Sequence, residues 1–192
     1  LGNSLAVGVG AAQGFVPRYR DYIQQDTGTT VNLTNLGVGG WTSTQLLIAL
    51  KTDANFRNAI RNAKVVTWEI GGNDLLYARA LYQARICGGS DNQNCFRAAK
   101  GVVKVNWALI THEILSLRGS EKTIIRTMDI YNPYVNEDKA LNTWPNDAGN
   151  DFQVSKPYLD DINKFIATSA TWKNIPYSRV YAAFNGSTGE TD

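Results

Sequence analysis

The sequence predicts an α/β fold in which a parallel β-sheet is covered by helices on both faces. Short apolar or β-branched stretches alternate with helical stretches along the chain, the order expected of parallel strands joined by helical crossovers. Residues 65–70 form a nearly continuous apolar run, which is typical of a strand covered on both faces. Because no repeat or linker interrupts the 192 residues, we expect a single domain over residues 1–192.

Five strands are expected from the pattern of apolar and β-branched residues. They are Leu1–Gly2, 30–35, 65–70, 123–128 and 178–184. The first ends in a glycine-rich turn, and the second alternates between apolar or β-branched residues and asparagine.

Six helices are expected between and after these strands. They are 18–25, a helix capped by residues 42–44 that runs through Leu50, 54–63, 75–85, 96–117 and 151–172. Pro17 and Gly28 bracket the first of them, and Gly119 ends the longest. The long loop 131–150 separates the fourth strand from the last helix, and loops of that length are often the rims of functional sites.

The overall charge excludes several kinds of partner. The formal net charge is +2, and no run of Lys or Arg exceeds two residues, so we expect no nucleic-acid partner. No apolar run approaches the ~20 residues that a membrane-spanning helix requires. These observations leave small molecules, lipids and glycans open as partners.

The two cysteines, Cys87 and Cys95, bracket a polar loop with no helical or strand pattern. Two cysteines that close such a loop indicate a disulfide, and a disulfide indicates an oxidising compartment. The alternatives are two buried thiols or half of a metal site, but no second Cys/His pair is present to complete four ligands. We therefore expect a secreted or extracytoplasmic protein with no metal.

Three loops rich in Gly, Ser and Asn follow predicted strands: the turn at Ser4, residues 37–40 and residues 71–74. In parallel sheets, ligands bind outside the carboxyl ends of the strands. A serine on a tight strand-to-helix turn exposes its hydroxyl for nucleophilic attack. The sequence thus predicts a catalytic rim at this edge of the sheet.

The same loops offer donors for a developing oxyanion, which acyl transfer requires. The backbone N–H groups of Ser4 and Gly40 and the side-chain amide of Asn73 are the candidates. Each has an ordinary alternative: Ser4 as a helix N-cap, Gly40 as a turn glycine before a helix, and Asn73 as an Asx-turn residue or N-cap.

Three segments carry a resemblance to a known family. Gly2-Asn3-Ser4-Leu5, Asn35-Leu36-Gly37-Val38-Gly39-Gly40 and Gly71-Gly72-Asn73-Asp74 resemble the first three sequence blocks of the SGNH hydrolases, also called GDSL esterases and lipases. The resemblance implies a three-layer α/β/α, flavodoxin-like sandwich with a five-stranded parallel sheet. It further implies that Ser4 is the nucleophile, that Gly40 and Asn73 complete the oxyanion hole, and that no cofactor is needed.

The chain departs from the family pattern in two places. Asn3 stands where the family usually has Asp. The asparagine amide preserves hydrogen bonding but removes a charge. The Asp-x-x-His block of the family is absent, and the one histidine, His112, lies in the middle of a helix and is not assigned as the base. Three acids remain candidates without a histidine to orient: Asp147, Asp151 and Asp192. With only two residues of its first strand present, the sequence is expected to be incomplete at both ends.

The sequence as a whole predicts a serine ester hydrolase that works through an acyl-enzyme. Trp41, Tyr131 and Tyr134 are expected to line the substrate pocket, with Phe15 and Trp144 as further candidates. The alternative is a catalytically inactive domain of the same fold that binds esters or glycans. A flavodoxin-like nucleotide binder is a weaker alternative, since the glycine loops lack a Walker-type lysine.

Overall fold

The sheet of this protein consists of parallel strands, as the sequence predicts. The computed structural model describes residues 1–118, 123–145 and 149–191. The strands are β1 (Val65–Thr67), β2 (Ile124–Met128) and β3 (Tyr177–Ser178). They pair in the order β1–β2–β3, with Val65 opposite Ile124 and Thr127 opposite Tyr177.

Helices account for most of the remaining described chain. They are α1 (Ser4–Val7), α2 (Phe15–Thr27), α3 (Ser43–Thr52), α4 (Ala54–Asn62), α5 (Gly72–Gln83), α6 (Asn94–Leu117), α7 (Val135–Ala140), α8 (Asp151–Trp172) and α9 (Val180–Asn185). All six predicted helices are present within a few residues of their expected ends. The short helices α1, α7 and α9 were not predicted, and the expected stop at Gly119 lies outside the described residues.

The prediction of five strands is not confirmed, because the described residues form three. Gly2 makes only an isolated parallel bridge with Gly37, and no strand forms at residues 30–35. Residues of that segment and of β1 both line an open groove of about 760 Å³. Among the described residues, the segment makes none of the ladder hydrogen bonds that define a strand.

The predicted strand at 178–184 is wrong for most of its length. Only Tyr177 and Ser178 pair with β2, and the chain then turns into α9. At this turn, the backbone N–H of Tyr181 donates to the Asp129 carboxylate at 2.8 Å. Asp129, which follows β2, thus holds the first turn of a helix. The apolar composition of the segment instead suggests a strand.

The core lies between the sheet and one layer of helices. The inward side of α6 places Val103, Trp107, Ile110 and Ile114 in one buried cluster with side chains of β1 and β2. The rings of Trp68 and Trp107 lie 5.1 Å apart at its centre. Helices α3 and α8 pack on either side of α6 and add their own apolar faces to this cluster. The second helical layer implied by the resemblance stays a prediction.

The predicted disulfide is confirmed: Cys87 and Cys95 are joined across the polar loop between α5 and α6. Asn92, in the middle of that loop, is buried and holds it from inside. Its side chain accepts from the Cys87 N–H and donates to the Tyr82 carbonyl, both at 2.9 Å. None of the helices in the described ranges is long and apolar enough to cross a bilayer.

Candidate active site

A cleft of about 310 Å³ opens at the carboxyl end of the sheet. Segments that follow β1, β2 and β3 all contribute to its walls, as expected for a ligand site on a parallel sheet. Ser4 and Asn73, from two different loops, line this same cleft. The structure therefore brings together two of the three groups predicted to act on an ester.

Ser4 is the first residue of α1, and its turn is held by polar contacts. The Asn3 side chain caps the helix by accepting from the Leu5 N–H at 2.9 Å. The Asn3 N–H donates to the Glu69 Oε1 atom at 2.7 Å. Across the described ranges, no acceptor is bonded to the Ser4 N–H, which leaves it free to bind a ligand oxygen.

Gly40 lies at the third position of a tight turn that begins at Val38. The Trp41 N–H donates to the Val38 carbonyl at 3.3 Å, and Gly40 has φ of +80°, as type II turns require at that position. Gly40 is exposed and is not among the residues that line the cleft. It therefore lies on the loop beside the cleft, not in its wall.

The side chain of Asn73 ties the glycine loop to the start of α5. Its Nδ2 donates to the Trp41 carbonyl at 2.8 Å. Next to it, the buried Asp74 accepts from the Ser43 N–H at 2.8 Å and from the Ser43 hydroxyl at 2.7 Å. Because a carboxamide has two N–H bonds, one donor of Asn73 remains for a ligand.

The cleft wall also contains apolar side chains and a charged pair. Helices α5, α6 and α8 contribute the apolar side chains Leu75, Leu76, Phe96, Phe152 and Leu159. In the same wall, Arg79 donates to Asp138 at 2.7 Å and its guanidinium lies 4.4 Å from the centre of the Tyr134 ring. The cleft thus offers an apolar chamber beside a serine.

Comparison with known protein families identifies the family of this chain. The sequence matches the GDSL-like Lipase/Acylhydrolase family over residues 1–192. The chain belongs to this family.

Two similar proteins illustrate how far this GDSL-family chain has diverged. The spore germination lipase LipC of Bacillus licheniformis is 24% identical over 191 residues, which is 97% of this chain and 80% of the relative. The structure of the lipase Lip_vut3 from a goat rumen metagenome has a TM-score of 0.77 and 22% identity, covering 97% of this chain and 81% of that one.

The psychrotrophic esterase EstA from Pseudoalteromonas sp. is a more distant structural neighbour. Its TM-score is 0.56 at 16% identity, and the match covers 98% of this chain and 79% of EstA. Both structural likenesses support the α/β fold of the GDSL-family chain.

Buried acids surround the cleft of this GDSL-family protein. Burial raises the pKa of Glu69 to about 7, although hydrogen bonds to its carboxylate and a nearby positive charge act to lower it. Burial also raises the pKa of Asp129 and that of Asp138, although the latter is paired with Arg79. Burial and a hydrogen bond to Asp160 raise the pKa of Tyr181.

The predicted substrate-binding aromatic residues divide into two groups. Tyr131 and Tyr134 line the cleft, and Tyr131 stacks on Phe184 with 4.7 Å between ring centres. Trp41 instead stacks on Phe56 at 5.6 Å and is not among the lining residues. Phe15 and Trp144 also lie outside the lining set, so only the two tyrosines among the five candidates line the cleft.

The remaining candidate acids and the histidine either do not line the cleft or fall outside the described residues. His112 is exposed on α6. Asp151 is buried at the start of α8, where it accepts from the Thr143 N–H and hydroxyl at 2.7 Å. Asp147 and Asp192 fall outside the described residues. Within the ranges that are described, no group of three His, Cys, Asp or Glu is placed to hold a metal ion.

Sequence reasoning missed the cleft residues that come from distant elements: Glu69, Arg79, Asp129, Phe152, Leu159 and Tyr181. One of them carried a signal. Glu69 is the one charged residue in the apolar run 65–70, and a charge inside a buried strand needs a partner. The others look like ordinary helix-surface or core residues until the fold brings them to the cleft.

Proposed function

We propose that this protein is a carboxylic ester hydrolase that works through an acyl-enzyme formed on Ser4. The observation that carries the proposal is the placement of Ser4 and Asn73 in one cleft, with the Ser4 N–H unbonded. Membership of the GDSL-like Lipase/Acylhydrolase family supports the same reaction class.

In this mechanism, the Ser4 hydroxyl oxygen attacks the ester carbonyl and forms a tetrahedral intermediate. The carbonyl oxygen becomes an oxyanion, which receives hydrogen bonds from the Ser4 N–H and the second N–H of Asn73. The Gly40 N–H, on the loop beside the cleft, is the third donor that the family resemblance implies. The base, which takes the Ser4 proton and returns it to the leaving alcohol, is the histidine implied by the same resemblance, and none of the 192 residues is assigned to it. Collapse of the intermediate expels the alcohol and leaves the acyl group on Ser4, and water then releases the acid.

The substrates proposed are esters with an apolar acyl group. The chamber beside Ser4 is formed by leucine and phenylalanine side chains, which bind hydrocarbon by removing it from water. The names of LipC and Lip_vut3, both lipases, support an acyl ester as substrate. We further propose that the protein is secreted or extracytoplasmic, which the Cys87–Cys95 disulfide supports.

Turnover of p-nitrophenyl acetate tests the proposal. Wild-type protein is expected to release nitrophenol, and Ser4→Ala is expected to abolish this activity, because the acyl group then has no nucleophile. Asn73→Ala is expected to lower kcat by about 10²–10³-fold, the usual effect of removing one oxyanion donor.

Ser116→Ala is the matched control, since Ser116 is exposed on α6 and its hydroxyl only bonds the Glu113 carbonyl of the same helix. This variant should keep full activity. If Ser4→Ala retains wild-type turnover, the acyl-enzyme proposal is wrong. Wild-type protein that binds esters without turning them over would favour the inactive binding domain.

A further inference from the structure

A buried carboxylate lies directly behind the serine turn. Glu69 follows β1, and only 5% of its surface is exposed. Its Oε1 atom accepts the Asn3 N–H at 2.7 Å, and the nearby Ala6 N–H lowers the pKa of the same carboxyl group. Glu69 thus interacts with the backbone on both sides of Ser4.

The Ser4 amide is left free within this turn. The Asn3 N–H is bonded to Glu69, and the Leu5 N–H is bonded to the Asn3 side chain. Among the residues that the structure describes, no acceptor is bonded to the Ser4 N–H, which lies between these two held amides. Fixing its neighbours therefore fixes the direction of the Ser4 N–H.

The close packing of Glu69 against the turn requires a glycine before Asn3. Gly2 has φ of +145°, and a Cβ atom built on it would collide with the Glu69 Oε1 atom. The absence of a side chain at residue 2 is therefore what admits the carboxylate to the turn. The same carboxylate lies four residues before Asn73, so one short segment reaches both the serine and the amide donor.

We infer that Glu69 is a positioning residue for Ser4: its carboxylate holds the Asn3 amide and lies beside the Ala6 amide, and so fixes the direction of the Ser4 N–H and hydroxyl at the cleft. This inference rests on the proposed ester hydrolysis. Tyr131 also faces the carboxylate, and Glu69 raises its pKa.

Kinetics of Glu69→Gln and Glu69→Ala on p-nitrophenyl acetate test the inference. Alanine removes both acceptor oxygens, so kcat is expected to fall on the order of 10²-fold, which is the usual effect of a small misplacement of reacting groups. KM is expected to change by less than about three-fold. The glutamine variant keeps one acceptor oxygen, so an intermediate kcat is expected for it.

Asp151→Asn is the matched control, because Asp151 is 3% exposed and accepts a backbone N–H at 2.7 Å but lies outside the cleft lining. Its kcat per folded molecule should equal that of the wild type. If both Glu69 variants lose activity only in proportion to unfolded protein, or change KM and not kcat, Glu69 does not position Ser4.

An NMR titration of the wild-type protein separates this inference from the reaction itself. The Glu69 carboxyl carbon and the amides of Asn3, Ser4 and Ala6 are expected to titrate with one shared midpoint, whether or not the protein hydrolyses esters. Amide signals that stay unchanged while the Glu69 carboxyl titrates would overturn the inference. Loss of turnover in wild-type protein, with the shared midpoint intact, would contradict only the proposed function.

Discussion

At the scale of single residues, burial of the Glu69 carboxyl makes the stability of the fold depend on pH. Burial raises its pKa from 4.5 to about 7. Because the pKa in the folded state lies above that in the unfolded state, Glu69 stabilises the fold fully below about pH 4.5. That contribution is lost as the pH rises through about 7, and a shift of this size corresponds to on the order of 3 kcal/mol.

Chemical denaturation of wild-type protein and Glu69→Gln between pH 4 and 8 measures this contribution. The difference in free energy of unfolding is expected to move in favour of E69Q as the pH rises. Groups other than Glu69 that titrate in this range are present in both proteins, so most of their effect cancels in the difference. Parallel stability curves would show that the Glu69 carboxyl is not desolvated as the structure indicates.

Residues whose role depends on local chain geometry could be predicted from the sequence, whereas those that act across the fold could not. Ser4 and Asn73 follow short strand-like stretches within glycine-rich turns, so their places at the sheet edge can be derived from neighbouring residues. Glu69 contacts Asn3 across 66 positions of sequence. Nothing near residue 69 indicates which amides will reach its carboxylate.

At the scale of elements, the disulfide closes the loop between α5 and α6 and limits the freedom of the unfolded chain. Cys87 and Cys95 are eight positions apart. In the chain-entropy model, a loop of this length is worth about 2.5 kcal/mol. The free energy of unfolding of the Cys87→Ser/Cys95→Ser double variant is therefore expected to be lower by this amount, so the variant unfolds at a lower urea concentration.

Urea titration of the wild type in the presence of a reductant should match the double variant, since reduction alone opens the same loop. The Asn92 hydrogen bonds to Cys87 and Tyr82 remain in either case, so the native loop conformation is expected to persist. If the double variant is as stable as the oxidised protein, the loop conformation is fixed by Asn92 and not by the disulfide.

Helices and strands differed in how well they could be predicted, because their hydrogen bonds differ in range. Helix α8 matches its predicted range of 151–172, since every helical bond joins residues four apart. Residues 30–35 have a strand-like composition, but a strand also needs ladder bonds to a second backbone, and the described residues make none there. Residues 180–185 form α9 because Asp129, far away in sequence, holds the first turn.

At the scale of the whole molecule, the cleft is assembled from segments that range from Asn3 to Gly189. The sequence predicted its place at the carboxyl end of the strands and the two tyrosines in its wall. The apolar chamber could not be predicted, because Phe96, Phe152 and Leu159 have the spacing of ordinary core residues on α6 and α8. Only the packing of α5, α6 and α8 shows that these side chains face a cavity.

The size of this chamber is expected to set the acyl-chain preference. A cleft of about 310 Å³ with leucine and phenylalanine in its wall is large enough for acyl chains longer than acetyl. Each methylene buried contributes about 0.8 kcal/mol, or close to four-fold in kcat/KM. Activity on p-nitrophenyl esters should rise with chain length until the chamber is full.

Leu76→Trp tests whether the apolar chamber is the acyl site. Leu76 lines the cleft, so a larger side chain there is expected to end the rise in kcat/KM at shorter acyl chains while p-nitrophenyl acetate is still hydrolysed. Leu81→Trp is the control on the same helix, because Leu81 is 41% exposed and does not line the cleft. If both variants keep the wild-type chain-length profile, the acyl group binds elsewhere, and the apolar chamber only completes the packing between α5 and α8.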